Sequence, residues 1–304
     1  MHEIFVWELN LKVLIFSLGL KGYSVVKALA ESLAPPVIFC VIGKDDGVSD
    51  DWSVKLASYC ARQGIDYSFR DNNFYKESEY DLFLALGWRW IVRDVPQEKL
   101  IVFHDSLLPK YRGFAPLVNA LINKERSTGV TALLGAEAYD RGNILLQKSF
   151  DIVYPTTIER EILRISIGYA DLALELFAQL NNGTLNRCGC PQEEKEATYS
   201  LWRDNEDYRI NWNNDAGNIE HFISCVNHPY MGASAMLNGS IIRVRKAWAR
   251  EDIKVENRTP GKVIFIESGL PVVVCGKGLL VLADVQNEVD ESILPLKSFR
   301  SRFC

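Results

Sequence analysis

Short apolar runs recur along the first half of the chain, each bounded by turn residues. KVLIFSL at residues 12–18 ends in Gly19 and Gly22, and an amphipathic stretch from Tyr23 to Ser32 follows, which predicts a strand, a glycine turn and a helix. PVIFCVIG, a helical stretch around Trp52 to Gln63, YDLFLALGW and KLIVFHDS repeat the theme. Strands of this kind alternating with helices imply an α/β unit, Rossmann-like, with a mostly parallel sheet and helices on both faces. Ligands of such sheets bind beyond the carboxyl ends of the strands.

From about Thr157 to Gln179 apolar residues fall at helical spacing, with Ile158, Ile162, Ile165, Leu172 and Leu176 on one face. A polar, turn-rich stretch then predicts a linker. Beyond Tyr199 the texture changes to GSIIRVRKAW, GKVIFIE, LPVVVCG and GLLVLADV separated by glycines, preceded by a helix near Asp215 to Cys225. That pattern predicts a smaller, OB-like β domain. The expected division is a catalytic domain over 1–185, a linker over 186–198 and the β domain over 199–304.

Composition narrows the class. With 304 residues, 48% hydrophobic, 24% charged and a net charge of -5, the chain reads as a globular protein with room for a sizeable core. A basic nucleic-acid binder would carry the opposite charge. No run reaches the roughly 18 apolar residues of a membrane span, and the N-terminus lacks a signal-peptide pattern, so a cytoplasmic location is expected. The seven cysteines, at 40, 60, 188, 190, 225, 275 and 304, are an odd, scattered set, which predicts free thiols. Cys188 and Cys190 lack the second pair or histidine that a zinc site needs, and no metal is expected. The G-x-x-G of Gly19 and Gly22 falls short of a dinucleotide fingerprint and reads as a tight turn with close helix packing.

The chemistry concentrates in IVFHDSLLPKYRGFAPLVNALINKERSTGVT, residues 101–131, and YDRGNILLQ, residues 139–147. His104 stands where an apolar strand ends, the position at which such sheets present residues to ligands and a histidine can exchange protons near neutral pH. Asp140 precedes a Gly142 turn and another apolar run, so its carboxylate can share that edge and orient the imidazole. Lys110 and Arg112 in the proline-stiffened SLLPKYRG loop suit an anionic or polar ligand.

At these residues the sequence resembles the 10-formyltetrahydrofolate-dependent formyltransferase family, which includes methionyl-tRNA formyltransferase and the nucleotide-sugar N-formyltransferases. HDSLLPKYRG, APLVNALINKE, TGVT and YDRGNILLQ carry the resemblance, and EATYSLWRDNEDYRINW, NHPYMGASAMLNG and PGKV extend it over nearly the whole chain. The resemblance implies His104 and Asp140 as the catalytic pair. The family's asparagine, two residues before the histidine, is Val102 here, so another donor is expected to replace it: Asn119, a backbone N–H or protonated His104. Asp105 also replaces the proline or small residue common in the family. The cosubstrate, 10-formyltetrahydrofolate, is expected against Gly87, Trp88, Arg89, Trp90 and Ile91, with Leu108 and Tyr139, and the acceptor against Ser106, Lys110, Tyr111, Arg112 and Gly113.

Residues 198–304 carry as many basic as acidic side chains, and the GKDDGVSDDW loop is acidic, which argues against a tRNA surface. GWRWI and FHDSLLPKYRGFAPL look more like the sugar N-formyltransferases, a resemblance that implies an amino sugar linked to dTDP or UDP, made for surface polysaccharide, with no nucleic acid and no membrane as partner. The resemblance also allows a homodimer. The alternatives are methionyl-tRNA formyltransferase, glycinamide ribonucleotide formyltransferase, disfavoured by the C-terminal domain, and a silent folate or nucleotide-sugar binding protein.

Overall fold

The computed structural model describes residues 11–72, 75–93 and 95–304. The ten N-terminal residues, where the signal pattern was sought, lie outside them. β1 (Lys12–Ser17) runs into α1 (Gly19–Ala30) and β2 (Val37–Ile42) into α2 (Ser53–Gln63), after which β3 (Asp66–Phe69), β4 (Leu82–Leu86) and β5 (Leu100–His104) are linked through one-turn 3-10 helices. A two-residue strand, β6 (Arg112–Gly113), precedes α3 (Pro116–Ile122), β7 (Ser127–Leu134), β8 (Ile144–Asp151) and the long α4 (Ile158–Asn181). The sheet has the order β3-β2-β1-β4-β5-β7-β8. Its first five strands pair in parallel, while β7 is antiparallel to β5 and β8 to β7.

This order creates a switch point. The chain winds outward from β1 to β3, then returns to place β4 on the other side of β1, so the connections after β1 and β4 diverge and leave a crevice at their carboxyl ends. The two faces are covered differently. Val13, Ile15, Leu84 and Phe103 pack with α1, α2 and α4, whereas Leu14, Phe16, Phe83 and Ala85 pack with Tyr75, Tyr80, Trp88 and Val95. The expected helical cover on both faces is therefore α-helical on one face and loop with 3-10 turns on the other. The connections at 70–81 and 87–99 are too short and irregular in pattern for an α-helix of ordinary length.

The glycine turn after β1 is not a separate element: α1 starts at Gly19, and Gly22 lies inside it. A β-carbon on Gly22 would lie 1.9 Å from Ser17 Oγ, so glycine lets the helix close onto its own strand. α4 begins at its Thr157 cap, whose side chain accepts from the Arg160 N–H at 3.3 Å.

The stretch expected as a linker bridges to the first sheet through Cys190 and Ile144, and just beyond it β9 (Tyr199–Ser200) pairs with β6 in a separate two-stranded sheet. α5 (Ala216–Cys225) then packs on a five-stranded antiparallel sheet of β10 (Ala233–Leu237), β11 (Ser240–Arg250), β12 (Val263–Glu267), β13 (Leu270–Val274) and β14 (Leu279–Gln286), ordered β10-β11-β14-β13-β12. Its two edges are joined by residues 301–304. Cys304 exchanges both backbone hydrogen bonds with Met236 at 2.8 and 2.9 Å, while Phe303 N–H donates to Gly261 at 2.8 Å and Ser301 accepts from Val263 at 3.1 Å. This pairing closes the sheet towards a barrel and removes its free edges. Phe303, 1% exposed beside Trp212, anchors the closure. Phe303→Ala is expected to cost about 3–5 kcal/mol, read as a lower urea midpoint; an unchanged midpoint would show that the tail contributes nothing to closure.

Among the described residues, no helix is long and apolar enough to cross a membrane. All seven cysteines are free thiols, with Cys188, Cys190 and Cys304 exposed.

Candidate active site

His104 is the last residue of β5, and its side chain is almost wholly buried. The ring touches protein at both nitrogens. Nε2 lies 2.8 Å from the Tyr111 carbonyl oxygen, and Nδ1 lies 3.4 Å from Asp140 Oδ1. A carbonyl only accepts, so Nε2 carries a proton. Nδ1 then offers a lone pair towards a carboxylate, and the contact is favourable only when a further proton sits between the two groups. As a unit the pair can take up one proton and hold it between Nδ1 and Oδ1.

Strain and close packing hold the partners in place. Tyr111 and Asp140 both adopt left-handed backbone, with φ 59 and 56°, a conformation that costs a non-glycine residue roughly 1–3 kcal/mol. Asp140 is fixed further because its Oδ2 accepts from the Gly113 N–H at 2.8 Å. Gly142 lets the Asp140 loop approach β7, since a β-carbon there would lie 1.8 Å from the Leu134 carbonyl oxygen.

The other expected site residues divide into groups. Trp88, Trp90 and Ile91 line a cleft of about 250 Å³ with Phe16, Tyr75 and Arg70. Trp88 and Trp90 meet edge to face at 4.7 Å, Arg70 stacks over Trp90 at 4.3 Å, and Arg89 pairs with Asp45. Tyr111 and Asn119 line a second cleft, of about 570 Å³, whose wall includes Ser200, Trp202, Arg203 and the carboxylates of Asp204 and Asp207. Tyr139 is exposed, its ring 6.3 Å from that of Phe114.

Several expected ligand contacts are instead internal. Arg112, expected to face a substrate, is only 1% exposed: its guanidinium bonds Gln192 at 2.8 and 3.1 Å and Glu194 at 2.8 Å, fastening the linker against the loop. Ser106 is buried and donates to the Lys110 carbonyl at 2.6 Å. Leu108 is buried as well, with its N–H bonded to Thr131 and its carbonyl to Gln147. Asn119 donates to Ala115 at 2.9 Å and accepts from Arg203 at 3.1 Å, so it does not meet His104. Lys110 remains exposed.

Sequence reasoning overlooked Lys21, near the start of α1, which forms an ion pair with Asp105; Tyr169, from α4, donates to the other carboxylate oxygen. Burial alone would push the Asp105 carboxyl up, but the Lys21 ammonium and the Tyr169 hydroxyl outweigh it and hold it below the ordinary carboxylate range. The same burial, with Asp105 beside it, pushes the Tyr169 hydroxyl far up. The unusual aspartate after His104 was the available signal.

A buried histidine–carboxylate pair at the strand-end crevice of a doubly wound sheet has the layout of an acid–base group-transfer enzyme. The chain belongs to the formyl transferase family: the formyl transferase model matches residues 74–166, and that of the formyl transferase C-terminal domain matches residues 203–301. Methionyl-tRNA formyltransferase of Thermodesulfovibrio yellowstonii is 32% identical over 240 residues, covering 76% of this chain and 74% of that one. The fold is similar to that of a sugar 3N-formyl transferase solved with dTDP and 5-N-formyl-THF, with a TM-score of 0.65 at 18% identity over 90% of this chain and 97% of the other. It is also similar to that of the N-formyltransferase from Helicobacter canadensis solved with folinic acid and dTDP-3-aminofucose, with a TM-score of 0.62 at 19% identity over 90% and 98%.

Proposed function

We propose that this formyltransferase moves the formyl group of 10-formyltetrahydrofolate to the amine of a dTDP- or UDP-linked amino sugar. The observation that carries the reading is the buried His104–Asp140 pair, with His104 at the carboxyl end of β5 and its ring bonded to the backbone of Tyr111. In this reading the pterin lies in the tryptophan-lined cleft and the acceptor enters from the Tyr111 side. The acceptor nitrogen attacks the formyl carbon, and the carbonyl oxygen takes the negative charge. The pair accepts the proton that the amine releases. Collapse of the intermediate breaks the bond to N10, and the same proton returns to that nitrogen, leaving tetrahydrofolate and a formamide. No metal enters this scheme.

Charge favours a sugar acceptor over tRNA. The chain carries a net charge of -5, which disfavours the many phosphates of a tRNA backbone far more than the two of a nucleotide sugar. The tRNA reading has its own support in the name of the relative that is 32% identical. The protein incubated with 10-formyltetrahydrofolate and either a panel of dTDP- and UDP-amino sugars or charged initiator tRNA separates the two. Folate release with a sugar is the expected result. Release with tRNA alone would overturn the sugar assignment, and binding without release would make the chain a silent binder.

A further inference from the structure

Transfer from a formyl amide makes an oxyanion, and a buried oxyanion needs a hydrogen-bond donor. The side chains expected to supply it do not. Val102 is apolar; His104 Nε2 is engaged by Tyr111 and its Nδ1 by Asp140; the Asn119 amide donates to Ala115.

Lys21 is differently placed. Its stem passes the end of β4, with Cε 3.5 Å from where a β-carbon on Gly87 would sit, and its ammonium reaches Asp105, the residue after His104. It thus bridges the segment that enters the tryptophan cleft and the strand end that bears the imidazole. The side chain is 21% exposed, and Asp105 is its one hydrogen-bond acceptor among the described residues. An ammonium has three N–H groups, so two remain directed away from that carboxylate. Asp105, fixed in turn by Tyr169, prevents the lysine from swinging out to solvent.

We infer that Lys21, held by Asp105, donates a hydrogen bond to the formyl oxygen and so serves as the oxyanion donor of this site. The inference rests on the proposed folate reading, and its test separates the two. A charge-assisted bond to the formyl oxygen discriminates a formylated folate from its unformylated counterpart even without turnover. The full-length chain would be titrated calorimetrically with 10-formyl-5,8-dideazafolate and with 5,8-dideazafolate, which differ only in that group. Wild type is expected to favour the formylated compound by roughly tenfold. Lys21→Met is expected to bring the ratio near one while the affinity for the unformylated compound stays the same.

Because Lys21→Met strands a buried carboxylate, the double variant Lys21→Met/Asp105→Asn keeps the test valid should the single one misfold. A ratio unchanged in either folded variant overturns the role of Lys21 and leaves the folate reading standing. Failure of wild type to bind either compound overturns both.

Discussion

His104→Ala should lower the turnover of acceptor by about two to four orders of magnitude while leaving folate binding and the folded state near wild type. The imidazole is buried but packs at the rim of the crevice, so its loss removes proton transfer without opening the core of the sheet. The effect belongs in kcat, because the tryptophan-lined cleft assigned to folate does not include His104. Single-turnover measurement with saturating folate reads it directly. A rate within a few-fold of wild type would remove the imidazole from the chemistry.

Asp140→Asn makes the complementary test. Asparagine keeps the size of the side chain and can still accept from the Gly113 N–H, so the loop remains in place. It cannot share a proton with Nδ1, and an amide N–H directed at that nitrogen would tie up its lone pair. The expected loss is again about two to four orders of magnitude. A double variant with His104→Ala should be no slower than His104→Ala alone, since both changes disable one unit. Additive losses would mean that the two residues act separately.

Much of the framework was legible in the chain. Continuous apolar runs are what doubly buried strands require, and β1, β2, β4 and β5 fall within the predicted runs. His104 and Asp140 were identifiable because each follows or precedes such a run, and the structure brings them together. What escaped the sequence is what long-range contacts decide. The antiparallel direction of β7 and β8 depends on pairing partners that a local pattern does not specify. Arg112 reads as an exposed cation in its own loop, and only the return of the linker 80 residues later turns it into an internal clamp. Lys21 carries no local mark at all; its partner Asp105 lies 84 residues away. The edges of the C-terminal sheet are joined by a segment whose β character comes only from the strands it meets.

The most direct test of the account is the fate of the formyl carbon. Wild-type protein is supplied with 10-formyltetrahydrofolate labelled with carbon-13 in the formyl group, together with the amino sugar that turns over, and the products are resolved by mass spectrometry. Label in a formamide on the sugar nitrogen, in an amount equal to the tetrahydrofolate formed, is the predicted result. Label that stays on the folate, or leaves only as formate, would contradict transfer at this site.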